Sequence, residues 1–314
     1  MTLGFVAAAK QENGVPLVIV VADSRISLSG SAPMDAGIKT YELGGRVAMV
    51  ASGHALPALF ASQLVRTIVE NHNRHSKIPI GFYDTVRLLA FYLKLSAQDQ
   101  WAKCSTDHPW ACQVAVAGFL QNDLPCLAVV TVSKEYNRIF FQSLNSNKSI
   151  ALVVGNDLGK SLLYQGFAAA RKENKPVLTS GISLIWYMSS HPGRYPGTYP
   201  GIYSSIGGGI SVGCCSRDSS NFDWPIIEIE GKCFLQGIDI TDYIRPSWKK
   251  PEVIPYDESW CAKLDKKINR DQEVNPAIEM TAGRYDIDSI STPDILFQTC
   301  DDPPAFENGI PCLK

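Results

Sequence analysis

The residue types that could do chemistry gather near the amino end of the chain: Thr2, Asp23, Lys39 and Gly53. A threonine hydroxyl is a weak nucleophile and needs a base beside it. Once Met1 is removed, the freed α-amine of Thr2 can take the hydroxyl proton itself, usually through a water. With a reference pKa of about 8, an α-amine is a usable base near neutral pH. A lysine ammonium beside the hydroxyl favours its ionised form and pushes the amine toward neutrality, and an aspartate keeps that lysine charged and oriented. A backbone N–H at a glycine-containing strand-to-helix junction, here Gly53, would act as an oxyanion hole.

The elements around these residues must then bring them together. Two apolar, β-rich runs, Leu3–Lys10 and Leu17–Asp23, flank a polar Gln11-Glu12-Asn13-Gly14 stretch, and Asn-Gly between such runs signals a hairpin. Thr2 therefore sits at the start of one strand and Asp23 at the end of the next. Lys39 lies in the Gly37-Ile38-Lys39-Thr40-Tyr41 run, and a strand over 46–51 leads into Ser52-Gly53-His54. In stacked sheets such strand ends converge on one rim. Taken singly, each residue also has an ordinary reading: a small second residue, a strand-end turn, a solvated edge lysine, a plain helix-start glycine. The joint order and spacing favour the chemical one.

That order, Thr2, then Ala22-Asp23-Ser24-Arg25, then Lys39, then Ala51-Ser52-Gly53, resembles the proteasome β-subunit family of N-terminal-nucleophile hydrolases, bacterial relatives included. The resemblance implies an α+β fold, a four-layer αββα sandwich, and a threonine endopeptidase acting without cofactor or metal on peptides or unfolded protein. It implies a homo-oligomeric ring, with an ATPase unfoldase as a partner still to be identified. It also places Ile26, Gly37, Tyr41, Ala51 and Ala55 around the pocket next to Thr2, which favours an apolar residue before the scissile bond. The family carries a glycine–serine pair at a later strand-to-helix junction, its serine near the nucleophile; this chain has Gly155-Asn156 there, and the resemblance makes Asn156, whose amide can still hydrogen-bond, a further catalytic candidate. An Asp and a Ser usually precede its last Gly-Gly strand start, and those positions align with Tyr203 and Ile206.

The remaining chain alternates in period. Helices are expected over 54–69 and 82–103, with Leu56, Leu59, Phe60, Leu64, Val65 and Ile68 at helical spacing in the first and Leu88, Leu89, Phe91, Tyr92 and Leu95 near the buried side of the second. Strands follow over 112–120, 126–133, 136–141 and 150–155, then helices over 157–171 and 180–189, then strands over 209–213, 225–230 and 233–236. The Tyr-Pro-Gly repeats within 191–209 exclude a helix interior. Gly207-Gly208-Gly209 could cradle a phosphate, yet nothing basic follows, so backbone clearance is the better explanation. The boundaries read as 1–243 for the hydrolase-like domain and 244–314 for a proline-rich tail or arm, docked or disordered, with a helix over 258–270 and with Trp248, Trp260, Phe297 and Phe306 arguing for docking.

Composition narrows the function classes. Twenty-nine basic against 31 acidic residues leave a formal charge of −2, which gives no basic field for nucleic acid or an anionic membrane. Apolar runs have strand length rather than the roughly 20 residues of a spanning helix. The amino end lacks a basic leader, so a cytoplasmic setting is expected, in which nine scattered cysteines are reduced thiols. Three functions compete: a ring-forming threonine peptidase, a non-catalytic subunit of the same fold acting in assembly or binding, and an amidohydrolase acting on a small amide.

Overall fold

The structure is a computed structural model that describes residues 3–10, 13–26, 34–35, 37–53, 55–103, 112–132, 137–143, 149–191, 206–267, 305–307 and 310–312. It is a mixed α+β architecture. The amino-terminal hairpin is β1 (Leu3–Lys10) and β2 (Pro16–Asp23), antiparallel with Gly4 opposite Ala22 and Lys10 opposite Pro16. Gly14 takes a φ of +80°, the left-handed conformation that glycine adopts without steric cost. Then come β3 (Thr40–Gly44), β4 (Val47–Gly53), α1 (Ala55–His75) and α2 (Phe82–Lys103). An antiparallel run, β5 (Cys112–Phe119), β6 (Pro125–Val132) and β7 (Asn137–Ser143), precedes β8 (Ile150–Gly155), α3 (Asp157–Lys172), α4 (Val177–Ser190) and β9 (Ile210–Ser216).

These strands form two sheets, one ordered β8-β1-β2-β9 and the other β3-β4-β5-β6-β7. Their near-continuous apolar runs follow from burial on both faces. In β1 and β2, Leu3, Phe5, Ala7, Ile19 and Val21 pack with α3 and α4, whereas Val6, Ala8, Val18, Val20 and Ala22 pack against the other sheet. In the second sheet, Met49, Val114, Val116, Ala128 and Val130 meet α1 and α2, whereas Ala48, Val50, Ala115, Ala117 and Leu127 face the first sheet. A period of two thus sends alternate residues into two different cores.

The helices of the second sheet depart from expectation in one respect. α1 runs on to His75, and its buried face is built from Ala58, Ala61, Ser62, Val65 and Val69, while Leu56, Phe60 and Leu64 are about half exposed. Small residues let α1 lie close to the sheet, and the larger leucines and the phenylalanine rotate outward. On α2 the buried residues include Leu88, Leu89 and Leu93, but Leu95 is exposed.

A smaller sheet follows, ordered β12-β11-β10-β13, from β10 (Ile227–Ile229), β11 (Lys232–Leu235), β12 (Ile238–Asp239) and β13 (Glu252–Val253). β13 runs parallel to β10, so the chain beyond residue 243 continues onto the preceding fold. α5 (Glu258–Lys267) packs on α3 and α4 with Trp260, Cys261 and Leu264 in their core. Lys175 sits over the Trp260 ring, and the indole N–H donates to Glu173 at 2.9 Å. Trp248, expected to dock, is instead exposed, and a short hairpin, β14 (Ala305–Glu307) and β15 (Ile310–Cys312), lies near the carboxyl end of the sequence. Phe297 lies outside the described residues.

Candidate active site

The strand ends named from the sequence do share a rim. In the first sheet Leu3 pairs with Gly155, and Asp23 pairs with Ile210, so the start of β1, the end of β2, the end of β8 and the start of β9 are neighbours. In the second sheet Thr40 opens β3 opposite Val50, and Gly53 closes β4 opposite Cys112. Two contacts join the rims. The buried hydroxyls of Thr40 and Ser211 lie 2.6 Å apart, and Lys39 reaches across to Asp23.

Asp23 is the hub. Its side chain is fully buried and accepts from Lys39 Nζ on both oxygens at 3.1 Å. Oδ1 also accepts from the Leu3 N–H at 2.8 Å, and Oδ2 from the N–H groups of Gly207 at 3.2 Å and Arg25 at 3.3 Å. A buried carboxylate is tolerable on these terms, because its lone pairs are met by a cation and by backbone donors. The backbone amide that opens β1 and the Lys39 ammonium therefore bond to the same oxygen.

Lys39 is 4 % exposed, and burial pulls its pKa below the ordinary lysine value even though the Asp23 carboxylate opposes the shift. The largest cause of the shift is the loss of water around the ammonium, and the Asp23 carboxylate is what opposes it. Its backbone is fixed as well: the Lys39 carbonyl accepts from the Ala51 N–H at 2.9 Å.

Thr2 lies outside the described residues; its chain neighbour Leu3 is the residue bonded to Asp23. Gly53 ends β4 with a φ of +91° and is exposed, and α1 starts at Ala55. Asn156 is buried and caps α3, accepting the Gly159 N–H on Oδ1 at 3.0 Å. Of the pocket residues, Ile26 covers Gly37, where an added Cβ would fall 2.2 Å from the isoleucine Cγ1. Tyr41 donates its hydroxyl to the Ile38 carbonyl at 2.7 Å, and burial pushes its pKa up to about 12. Ala51 and the ring of Tyr41 belong to the core beneath α1 and α2. Of Ala55 the structure gives the helical backbone alone, and Tyr203 lies outside the described residues. Ile206 is fully buried in the core beside α3.

The glycine run explains itself by clearance. A Cβ on Gly207 would fall 2.3 Å from the Arg25 guanidinium carbon, and one on Gly208 would fall 2.4 Å from Ser24 Oγ. The sequence assigns Gly207 clearance alone and gives no role to Ser24, Asp35 or Ser211. The Ser24-Arg25 pair directly after Asp23 and the glycine run were the available signals. Among the described residues, no group of three or more His, Cys, Asp or Glu is placed to hold a metal ion, and no helix is long and apolar enough to cross a membrane.

A scan against protein-family models found no match to this chain, and a search of curated proteins found none either.

Proposed function

We propose that the chain is a proteasome-like threonine peptidase whose nucleophile is Thr2, released at its amino end. The observation that carries this reading is the buried Lys39–Asp23 pair bonded to the first backbone amide of β1. In the mechanism that follows, the Thr2 α-amine takes the hydroxyl proton through a water and the hydroxyl oxygen attacks the peptide carbonyl. The Lys39 cation, held by Asp23, lowers the energy of the developing charge, and the Gly53 N–H receives the oxyanion. The amine then protonates the leaving group, and water releases the acyl chain.

Two sheets packed face to face with helices outside each support a four-layer αββα sandwich of the N-terminal-nucleophile type; the homo-oligomeric ring, the ATPase unfoldase partner and the cytoplasmic setting belong to the reading through the family resemblance alone. The half-exposed Leu56, Phe60 and Leu64 on α1 are apolar surface of the kind that subunit contacts cover. A second reading, a non-catalytic subunit of the same fold, is favoured by one observation: Ile206 is packed in the core at a position where the family resemblance calls for a hydroxyl. Turnover of small peptide amides by protein beginning at Thr2, compared with Thr2→Ala, tests the choice. Loss of turnover in the variant supports the peptidase. Equal turnover in both removes Thr2 from the reaction.

A further inference from the structure

The segment between β2 and Lys39 carries a polar cluster to which the reaction above gives no role. Arg25 forks onto Asp35, with Nε to Oδ1 at 2.5 Å and Nη2 to Oδ2 at 2.8 Å. The Asp35 carbonyl accepts the Ser24 hydroxyl at 2.6 Å, and Ser24 Oγ accepts the Gly209 N–H at 2.7 Å. The guanidinium occupies the space where a Gly207 side chain would be, and Asp35 backbone atoms crowd Gly208 in the same way. Arg25 and Ser24 thus lie directly against Gly207–Gly209, and the Gly207 N–H is a donor to Asp23.

We propose that Asp35 is a positioning residue: by holding Arg25 and Ser24 against Gly207–Gly209 it keeps the Gly207 N–H on Asp23, and through Asp23 it sets the place of the Lys39 ammonium. An exposed ion pair normally contributes little. Here the arginine side chain is only 12 % exposed although that of Asp35 is 49 % exposed, and a two-bond fork fixes orientation as well as charge. The effect is therefore directional. Without the fork, Arg25 is free to leave Gly207, Asp23 loses one of its donors, and the buried cation bonded to both its oxygens is less constrained. The clasp stands on its own geometry, whereas its consequence for turnover rests on the peptidase reading.

Asp35→Asn, Arg25→Met and the double variant test this with two readouts that need no activity. Amide hydrogen exchange at Gly207 should quicken by about tenfold or more in each single variant, with the Val20 and Val116 amides unchanged. Lys39, buried in the parent, should become open to acetylation by a succinimidyl ester, scored by mass. Because the two residues act as one device, the double variant should match either single one. Arg25→Lys, which keeps the charge but loses the fork, serves if Asp35→Asn does not fold. Parent-like exchange and labelling in the single variants, or additive effects in the double, would overturn the clasp. In the peptidase arm kcat should fall with KM unchanged. If exchange and labelling respond and the parent has no turnover at all, the clasp stands and the peptidase reading falls. If the parent is active and kcat does not respond, the positioning role falls.

Discussion

Lys39 and Asp23 form an ion pair at 3.1 Å with neither side chain more than 4 % exposed. Removing a partner from such a pair leaves a buried charge without its counter-ion. Lys39→Met should therefore destabilise the fold by about 3–5 kcal/mol. Asp23 keeps three backbone donors in that variant, which places the expected loss toward the lower end. Urea unfolding of parent and variant gives the difference, and a loss below about 1 kcal/mol would mean that the pair behaves as a solvated one. Burial of the pair predicts that replacing Lys39 costs stability whatever it does to activity.

Asn156 makes a separable prediction. Its side chain caps α3, so Asn156→Ala should cost about 0.5–2 kcal/mol, whereas Asn156→Ser or Asn156→Asp should retain most of the stability. Thermal unfolding of the three variants checks the order. Equal stability of all three with the parent would show that the cap contributes nothing.

Two core thiols give the alkaline limit. Burial pushes Cys112 and Cys126 from the ordinary value of 9.0 up to about 12. Below pH 9 both are protonated in folded and unfolded chain alike, so their contribution is complete there. As pH rises through the interval between 9.0 and about 12 the unfolded chain loses these protons first, and stability falls. Each thiol should cost about 1.4 kcal/mol per pH unit in that interval. Urea titrations under reducing conditions at pH 8 and pH 10.5 should show parent and Cys112→Ala/Cys126→Ala drawing together at the higher pH. A gap independent of pH would contradict the burial account.

Much of the scaffold was legible because its strands are bounded by turn chemistry. Leu3–Lys10 and Ile150–Gly155 have the expected bounds, and α2 runs over Phe82–Lys103 as its period requires. The length of α1 was not legible, since the polar Asn71-His72-Asn73-Arg74-His75 stretch looks like a helix end yet continues as helix on the surface. Its buried face was misleading for a different reason: a period of 3.6 marks a stripe, but it does not tell which of two adjacent stripes, alanine-rich or leucine-rich, a sheet will accept.

The Lys39–Asp23 pair was readable from residue type and order. The way Asp23 is held was not, because its donors are backbone amides of Leu3, Arg25 and Gly207, and no side-chain pattern marks a backbone N–H. Asp35 was hidden for a related reason: a carboxylate in a polar stretch reads as solvated until the fold brings Arg25 to it.

The central claim is that Thr2 is a nucleophile served by its own amine and by the Lys39 cation. Purified protein treated with an epoxyketone or β-lactone and digested should yield an adduct confined to a peptide that begins at Thr2, absent from Thr2→Ala and sharply reduced in Lys39→Met. Protein that keeps Met1 throughout, or that labels equally in Thr2→Ala, would contradict the account.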